Sequence, residues 1–395
     1  MTYNSDIDKI AKSRLSLFSF SEFYYFFFLV TFSVIIFSNL LPASWVVIVR
    51  PFSIVLGLMS VFSVSSRASI IFVIFLYSFL LIYSLLPLIF GGANLEYLVK
   101  NTWYIIYFLF LLGLANIMRS IDVNRLLYSL SRIFVAKLFV VALISFNMNF
   151  SGGLFSSIIL DVMSLSVHKL FGAYRVLDVY LFLFPLAFVY VENKRWRTKV
   201  IIHSLLLFNV ISSLTIGIIF AYIIIMLLKY SFLRVPLALL IFSLFSIYFN
   251  EFYDLYQNFL DEKSVSIDVK LNQVFFIFDN LTIFGQGLGK AISIQGRVDS
   301  TLENVYIYWL VVYGIVGSLF MIFIFVMVPL FICYRFRHYN GMTSLFYLHL
   351  SILLVSASNP FLESVVGIIP MMLILSFGIS RLGRKSYNKI NINTA

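Results

Sequence analysis

Apolar runs separated by short polar or charged stretches recur along almost the whole chain. A helix needs about 20 mostly apolar residues to cross the hydrocarbon core of a bilayer. Reading the runs together with their turn signals gives about 12 spans, at roughly 20–41, 44–64, 69–90, 99–118, 132–150, 177–191, 199–212, 214–229, 234–250, 304–333, 343–358 and 361–380. The run at 200–228 is too long for one ordinary span, and SSLTIG at 212–217 supplies small and polar residues for a tight reversal, so it is divided in two. Outside the spans, DVKLNQVFFIFDN at 268–280 puts Val269, Gln273, Phe276 and Asn280 on one side and Leu271, Val274, Phe275 and Phe278 on the other. That is a short amphipathic helix lying against the membrane surface. The expected fold is an all-α polytopic integral membrane protein, with residues 1–395 forming a single transmembrane domain.

Composition agrees with the pattern. The chain is 62% hydrophobic and only 11% charged, outside the range of soluble globular domains. No small-residue cleavage pattern follows the first apolar run, so no cleavable signal peptide is expected. The single cysteine, Cys333, excludes an intramolecular disulfide and reads as a small buried hydrophobe.

The formal charge of +11 raises the question of nucleic acid, and the positions of the charges answer against it. With the amino terminus inside, most basic residues, Arg132 and Lys137 among them, fall on cytoplasmic segments, as the positive-inside rule requires. Two long segments are left on the outer face, 151–176 and 251–303, and they hold Asp161, Glu251, Asp254, Asp261, Glu262, Asp268, Asp279, Asp299 and Glu303. Long loops are where function concentrates. No internal repeat of the kind found in many secondary transporters is visible.

The densest stretch of chemistry-bearing residues is Gly285 to Gly317. The turn FGQGLG at 284–289 reads either as a structural turn or as backbone contact, through Gly287, to a phosphate or sugar, because successive amides in such a turn can cradle an anion. Arg175, Arg297, Lys270 and Lys290 are cations on the face where cations are depleted, and they are natural partners of a phosphate. For Arg175 the alternatives are an interfacial anchor or an ion pair with Asp178, three residues on. Arg50, inside a span, is a site hypothesis by position or an anchor reaching the headgroups. Glu303 and Asn304 open an apolar helix, VYIYWLVVYGIVG, where a carboxylate could cap the helix or take a proton from a sugar hydroxyl. Tyr306 and Trp309 could stack on sugars or pack in the core. His203 and His349 read as packing residues, and no cluster has metal-ligand spacing.

The stretch from about 268 to 320 resembles the bacterial O-antigen polymerase (Wzy-type) and O-antigen ligase superfamily. The elements that carry the resemblance are Lys270 opening a short helix, FGQGLG at 284–289, the Glu303–Asn304 pair, and YGIVG at 313–317. Lys270 stands where many members have Arg, and Glu303 stands where ligases usually have His, which favours polymerase over ligase.

The resemblance implies a multi-span, GT-C-like glycosyltransferase of the bacterial inner membrane, with both termini cytoplasmic and both long loops periplasmic. Its donor and acceptor would be undecaprenyl-pyrophosphate-linked glycans, with no cofactor, metal or nucleotide sugar needed. Glu303 and Asn304 would be catalytic. Arg175, Arg297, Lys270, Lys290, Tyr306 and Gly287 would bind pyrophosphate or sugar. Membrane lipids, a chain-length regulator co-polymerase and a flippase would be its partners, and nucleic acid would not. A flippase for the same lipid-linked oligosaccharide is the rival from another class, and an O-antigen ligase the rival among enzymes. A transporter would place its charges inside the bundle.

Overall fold

The computed structural model describes residues 3–40, 49–63, 67–90, 94–102, 107–150, 166–170, 173–178, 180–213, 215–236, 268, 271–278, 280–290, 292–294, 297–299, 302, 304–357, 362 and 364–392. They form a helical protein with two short β-hairpins. Among the described residues four helices are long and apolar enough to cross a membrane, Phe20–Leu40, Arg67–Ile89, Val123–Asn149 and Val305–Arg335, and there are shorter apolar helices such as Met342–Ser356 and Gly367–Arg381. Ile71, Ile74, Phe75, Leu81 and Ile82 lie exposed along one of these helices. Apolar surface on that scale is what a bilayer covers. The chain is a helical membrane protein.

In order, the helices are α1 (Tyr3–Phe37), α2 (Val49–Phe62), α3 (Arg67–Phe90), α4 (Leu95–Thr102), α5 (Phe110–Ser120), α6 (Val123–Phe150), α7 (Pro185–Val191), α8 (Trp196–Ser213) and α9 (Ile216–Lys229). After them come α10 (Val305–Ile322), α11 (Val328–Arg335), α12 (Met342–Ser356) and α13 (Val365–Ile392), with a π-helical segment, Phe323–Met327, joining α10 to α11. One hairpin pairs β1 (Ser166–Leu170) with β2 (Ala173–Leu177), and the other pairs β3 (Ile292–Ile294) with β4 (Arg297–Asp299).

α5 sits at the centre. Its residues Phe110 to Ala115, with Ile117 and Met118, are buried, and its principal neighbour is α13, which is buried from Gly367 to Leu375. A helix apolar on every side must be enclosed on every side. Gly113 makes the enclosure possible, because a Cβ there would overlap the ring of Tyr24 on α1, whose hydroxyl hydrogen-bonds Ser60 on α2. Small residues that admit a neighbour at close range are the usual device of membrane helix packing.

The structure corrects the sequence-based topology at α6. α6 starts at Val123, well before 132, and Lys137 therefore lies in mid-helix, 0% exposed, instead of on a cytoplasmic segment. Arg125, Arg132 and Lys137 depress the local hydropathy and hide the first turns of that helix from a hydropathy reading. The expected helical fold holds, and the long loops add two short hairpins to it. Part of the 151–176 loop is the β1–β2 hairpin, antiparallel with His168 opposite Arg175, and the 251–303 loop contains β3–β4.

Elsewhere the pattern translates directly. α8 ends at Ser213 and α9 begins at Ile216, with Thr215 in an extended conformation, so the helix does break inside SSLTIG. Residues 271–278 are helical, with Gln273 buried against the protein and Leu271, Val274, Phe275 and Phe278 exposed. The apolar side of that short helix faces outward, as a helix resting on a membrane requires. The apolar run at 234–250 lies largely outside the described residues.

Candidate functional site

The site begins with a broken helix. Within α10, Gly314 has φ 65° and ψ −168°, far from helical values. In an unbroken helix Ile315 N–H would bond Val311 and Val316 N–H would bond Val312. Instead the chain at 282–287 inserts into that ladder. Ile315 N–H donates to the carbonyl of Thr282 (3.1 Å) and Val316 N–H to that of Ile283 (3.1 Å). The freed carbonyls of Val311 and Val312 accept from the amides of Gln286 and Gly287, both at 2.9 Å. Four hydrogen bonds replace two. Unsatisfied backbone groups at membrane depth are tolerated only when protein supplies the partners, and here residues 282–287 supply all four, two from the glycine turn and two from Thr282 and Ile283 just before it.

A second helix defect docks onto the same turn. Pro87 inside α3 has no N–H, so the carbonyl of Tyr83, four residues earlier, lacks its helical donor. The amide of Leu288 donates to that carbonyl at 2.9 Å. One residue on, the carbonyl of Gly289 accepts from Asn94 N–H (3.0 Å), and Asn94 in turn caps α4 through Oδ1, which accepts from Glu96 N–H at 2.9 Å. Gln286 Nε2 donates to Asn280 Oδ1 at 3.0 Å, and this joins the turn to the short surface helix. Gly285, Gly287 and Gly289 all have positive φ, and a Cβ on any of them would meet backbone or ring atoms of α10, α3 or α4. FGQGLG is therefore a staple across α3, α4 and α10.

The start of α10 is held just as firmly. Asn304 is its N-cap: Oδ1 accepts from Tyr306 N–H (2.9 Å) and Ile307 N–H (3.2 Å), while Nδ2 donates to the carbonyl of Ala357 (2.7 Å) at the end of α12. Tyr306 Oη donates to the carbonyl of Leu353 at 2.9 Å, and its ring meets Trp309 edge to face. Further along, Pro329 has no N–H to offer the carbonyl of Phe325, four residues earlier, and Nε2 of His349 on α12 donates to that carbonyl at 2.8 Å.

The predicted site residues fare differently. Lys290 is half-buried, directly after the staple. Gly287 is inside the staple with its amide already donated to Val312, so phosphate contact through that amide is not what this geometry offers. Asn304 and Tyr306 have their polar atoms engaged in joining α10 to α12. Arg175 and Arg297 lie in the strands β2 and β4 of two different hairpins. Glu303 and Lys270 lie outside the described residues.

Sequence reasoning missed a polar node near Arg175. Asp178, immediately after β2, accepts at Oδ1 from Lys137 Nζ (2.6 Å), Asn39 Nδ2 (2.9 Å) and its neighbour Tyr180 N–H (3.0 Å). The ion pair is fully buried, at 0% and 1% exposure, and the ammonium also lies 4.3 Å from the centre of the Tyr180 ring. Asp178 thus has its partner on α6. Val176 on β2 packs beside this node with Leu40, Val141, Ile144 and Met148. The signal in the sequence was Lys137 itself, spaced within a helix-long apolar pattern.

No family model matches the chain, and neither a curated protein nor a solved structure matches it.

Proposed function

We propose that this chain is an O-antigen polymerase of the Wzy type, a glycosyltransferase that joins undecaprenyl-pyrophosphate-linked repeat units at the periplasmic face of the bacterial inner membrane. The proposal includes the finer topology: about 12 spans in a GT-C-like arrangement, both termini cytoplasmic, and a site built from the two outer loops. The observation that supports it most is the staple. Residues 282–287, which run into FGQGLG, and residues 311–316, which run into YGIVG, two elements of the family resemblance, are separate in sequence yet joined through four backbone hydrogen bonds. Along the chain they are connected by Lys290, the β3–β4 hairpin with Arg297, and the capped start of α10 that follows Glu303.

In this reading the growing chain is the donor. A hydroxyl of the newly arrived unit attacks the donor's anomeric carbon, the bond from that carbon to the pyrophosphate oxygen breaks, and lipid pyrophosphate leaves. Glu303 takes the hydroxyl proton, and Arg175, Arg297, Lys270 and Lys290 offset the charge developing on the pyrophosphate. The structural role of Asn304 then acquires a purpose, since a fixed N-cap holds the preceding carboxylate in register. A chain-length regulator and a flippase are the expected protein partners.

One observation favours the flippase reading instead: the Lys137–Asp178 pair is a charge pair inside the bundle. The lipopolysaccharide banding of a deletion strain separates the readings. Core plus one repeat unit means polymerase, core alone without lipid-linked polymer means flippase, and accumulated lipid-linked polymer means ligase. For the chemistry, Glu303→Gln, with membrane insertion verified, should leave lipid A carrying at most one repeat unit. Normal long ladders from that variant would remove Glu303 from the base role.

A further inference from the structure

Three helix ends meet at a cavity of about 380 Å³, within the range of small-ligand sites. α7 ends there at Val191, α8 begins there, and α9 ends there at Lys229. Glu192, Lys199, His203 and Lys229 line the cavity together with the rings of Phe188 and Tyr230. The nearby chain is strongly basic, with Lys194, Arg195, Arg197 and Arg234, which marks this end of the helices as the cytoplasmic one.

The cavity has the chemistry of an anion site. With His203 neutral, two ammonium groups against one carboxylate leave +2 − 1 = +1. Neither lysine forms an ion pair with Glu192 or with another carboxylate among the described residues, where the only ion pair is Lys137–Asp178. Lys229 Nζ rests over ring faces, 5.4 Å from the centre of Phe188 and 5.8 Å from that of Tyr230. Ring faces attract an ammonium group without using up its N–H donors. Nδ1 of His203 is buried with no hydrogen-bond partner among the described residues. That is a further ring nitrogen able to donate to an oxyanion.

The surroundings say where such an anion comes from. Phe232, which lines the cavity, is 71% exposed; Trp196, the first residue of α8, is 69% exposed, and Val200 and Ile201 continue the exposed apolar surface along that helix. Indole and phenyl rings at the level of the charges, with an aliphatic strip running away from them, match a headgroup and its acyl chains. We propose that this cavity holds the phosphodiester headgroup of an inner-leaflet glycerophospholipid, with Lys199 and Lys229 on the phosphate oxygens and the acyl chains along α8. The net charge of the cavity suits a singly charged phosphodiester. The site is independent of the polymerase reading and lies among different helices from the staple.

Native mass spectrometry of the delipidated full-length protein in detergent, titrated separately with phosphatidylglycerol and phosphatidylethanolamine, tests this. One equivalent of either lipid should bind, and K199Q/K229Q should weaken binding about tenfold. K199R/K229R should retain it, and so should R335Q/R337Q, which removes the same charge from exposed positions elsewhere. Retention of lipid by K199Q/K229Q, an equal loss in R335Q/R337Q, or displacement of the lipid by millimolar inorganic phosphate would each overturn the assignment.

Discussion

Gly285 and Gly314 occupy one another's side-chain space: a Cβ on either would overlap the backbone amide of the other. Both have positive φ, 77° and 65°. A residue with a side chain would therefore meet two penalties, the left-handed backbone, about 1–2 kcal/mol, and the loss of the close approach that lets four interchain-like hydrogen bonds form. Gly285→Ala and Gly314→Ala should each destabilise the protein by about 2 kcal/mol or more. Gly317 gives the contrast, because its Cβ would meet mainly the Tyr83 and Tyr313 side chains and its φ is not positive. Gly317→Ala should be the mildest of the three. Melting of detergent-solubilised variants, followed by size-exclusion chromatography, ranks them, and equal losses at all three positions would count against the staple.

The partnership of Gly287 with Pro87 yields a coupled test. A Cβ on Gly287 would overlap the proline ring, while the proline's missing N–H is what leaves the Tyr83 carbonyl to Leu288. Gly287→Ala should be destabilising in the native background. In a Pro87→Ala background the same change should cost less, with a coupling of at least about 0.5 kcal/mol, the usual scale for residues in contact. Strict additivity of the two changes would mean that the turn and α3 do not read each other.

Why half of this arrangement was legible in sequence and half was not follows from the distances along the chain. Three glycines alternating at 285, 287 and 289 announce positive φ and close approach, and the amphipathic pattern at 271–278 announces a surface helix. Their receptors do not announce themselves. Pro87 and Tyr83 lie some two hundred residues upstream, and nothing local tells a proline in an apolar run which amide will reach the carbonyl it orphans. Lys137 was assigned to the cytoplasmic side because parity and hydropathy treat any lysine as a boundary, and only tertiary structure brings it to Asp178. The β1–β2 hairpin left little signal, since neither SVHKL nor AYRVL shows the strict apolar–polar alternation that marks a half-buried strand.

Asn304 separates a positioning role from chemistry. Asn304→Asp retains the Oδ acceptor that caps Tyr306 and Ile307 but removes the donor to Ala357, whereas Asn304→Ala removes both. Loss of an N-cap costs about 1 kcal/mol, so stability should fall in the order native, Asp, Ala. If Asn304 acts on the reaction only by fixing the start of α10, polymer length should follow that same order. A variant as stable as the native protein but without long-chain product would instead place Asn304 in contact with substrate.

The buried Lys137–Asp178 pair decides between a structural and a transport role for charge inside the bundle. Removing one partner leaves an uncompensated buried charge, at about 3–5 kcal/mol, whereas removing both charges together is often close to neutral. Lys137→Met or Asp178→Asn alone should therefore lower the melting temperature sharply. The double variant K137M/D178N should recover most of the loss, because Asn retains an oxygen to accept from Asn39 Nδ2 and Tyr180 N–H, the bonds that bind the end of β2 to the helices. The functional readout is separate from the stability one. A pair whose task is to anchor the hairpin that carries Arg175 is dispensable as a pair of charges, and the neutral double variant should still make long lipopolysaccharide ladders. A pair that moves or binds charge during flipping is not dispensable, and a stable double variant that produced core alone would transfer the chain from the polymerase reading to the transporter one.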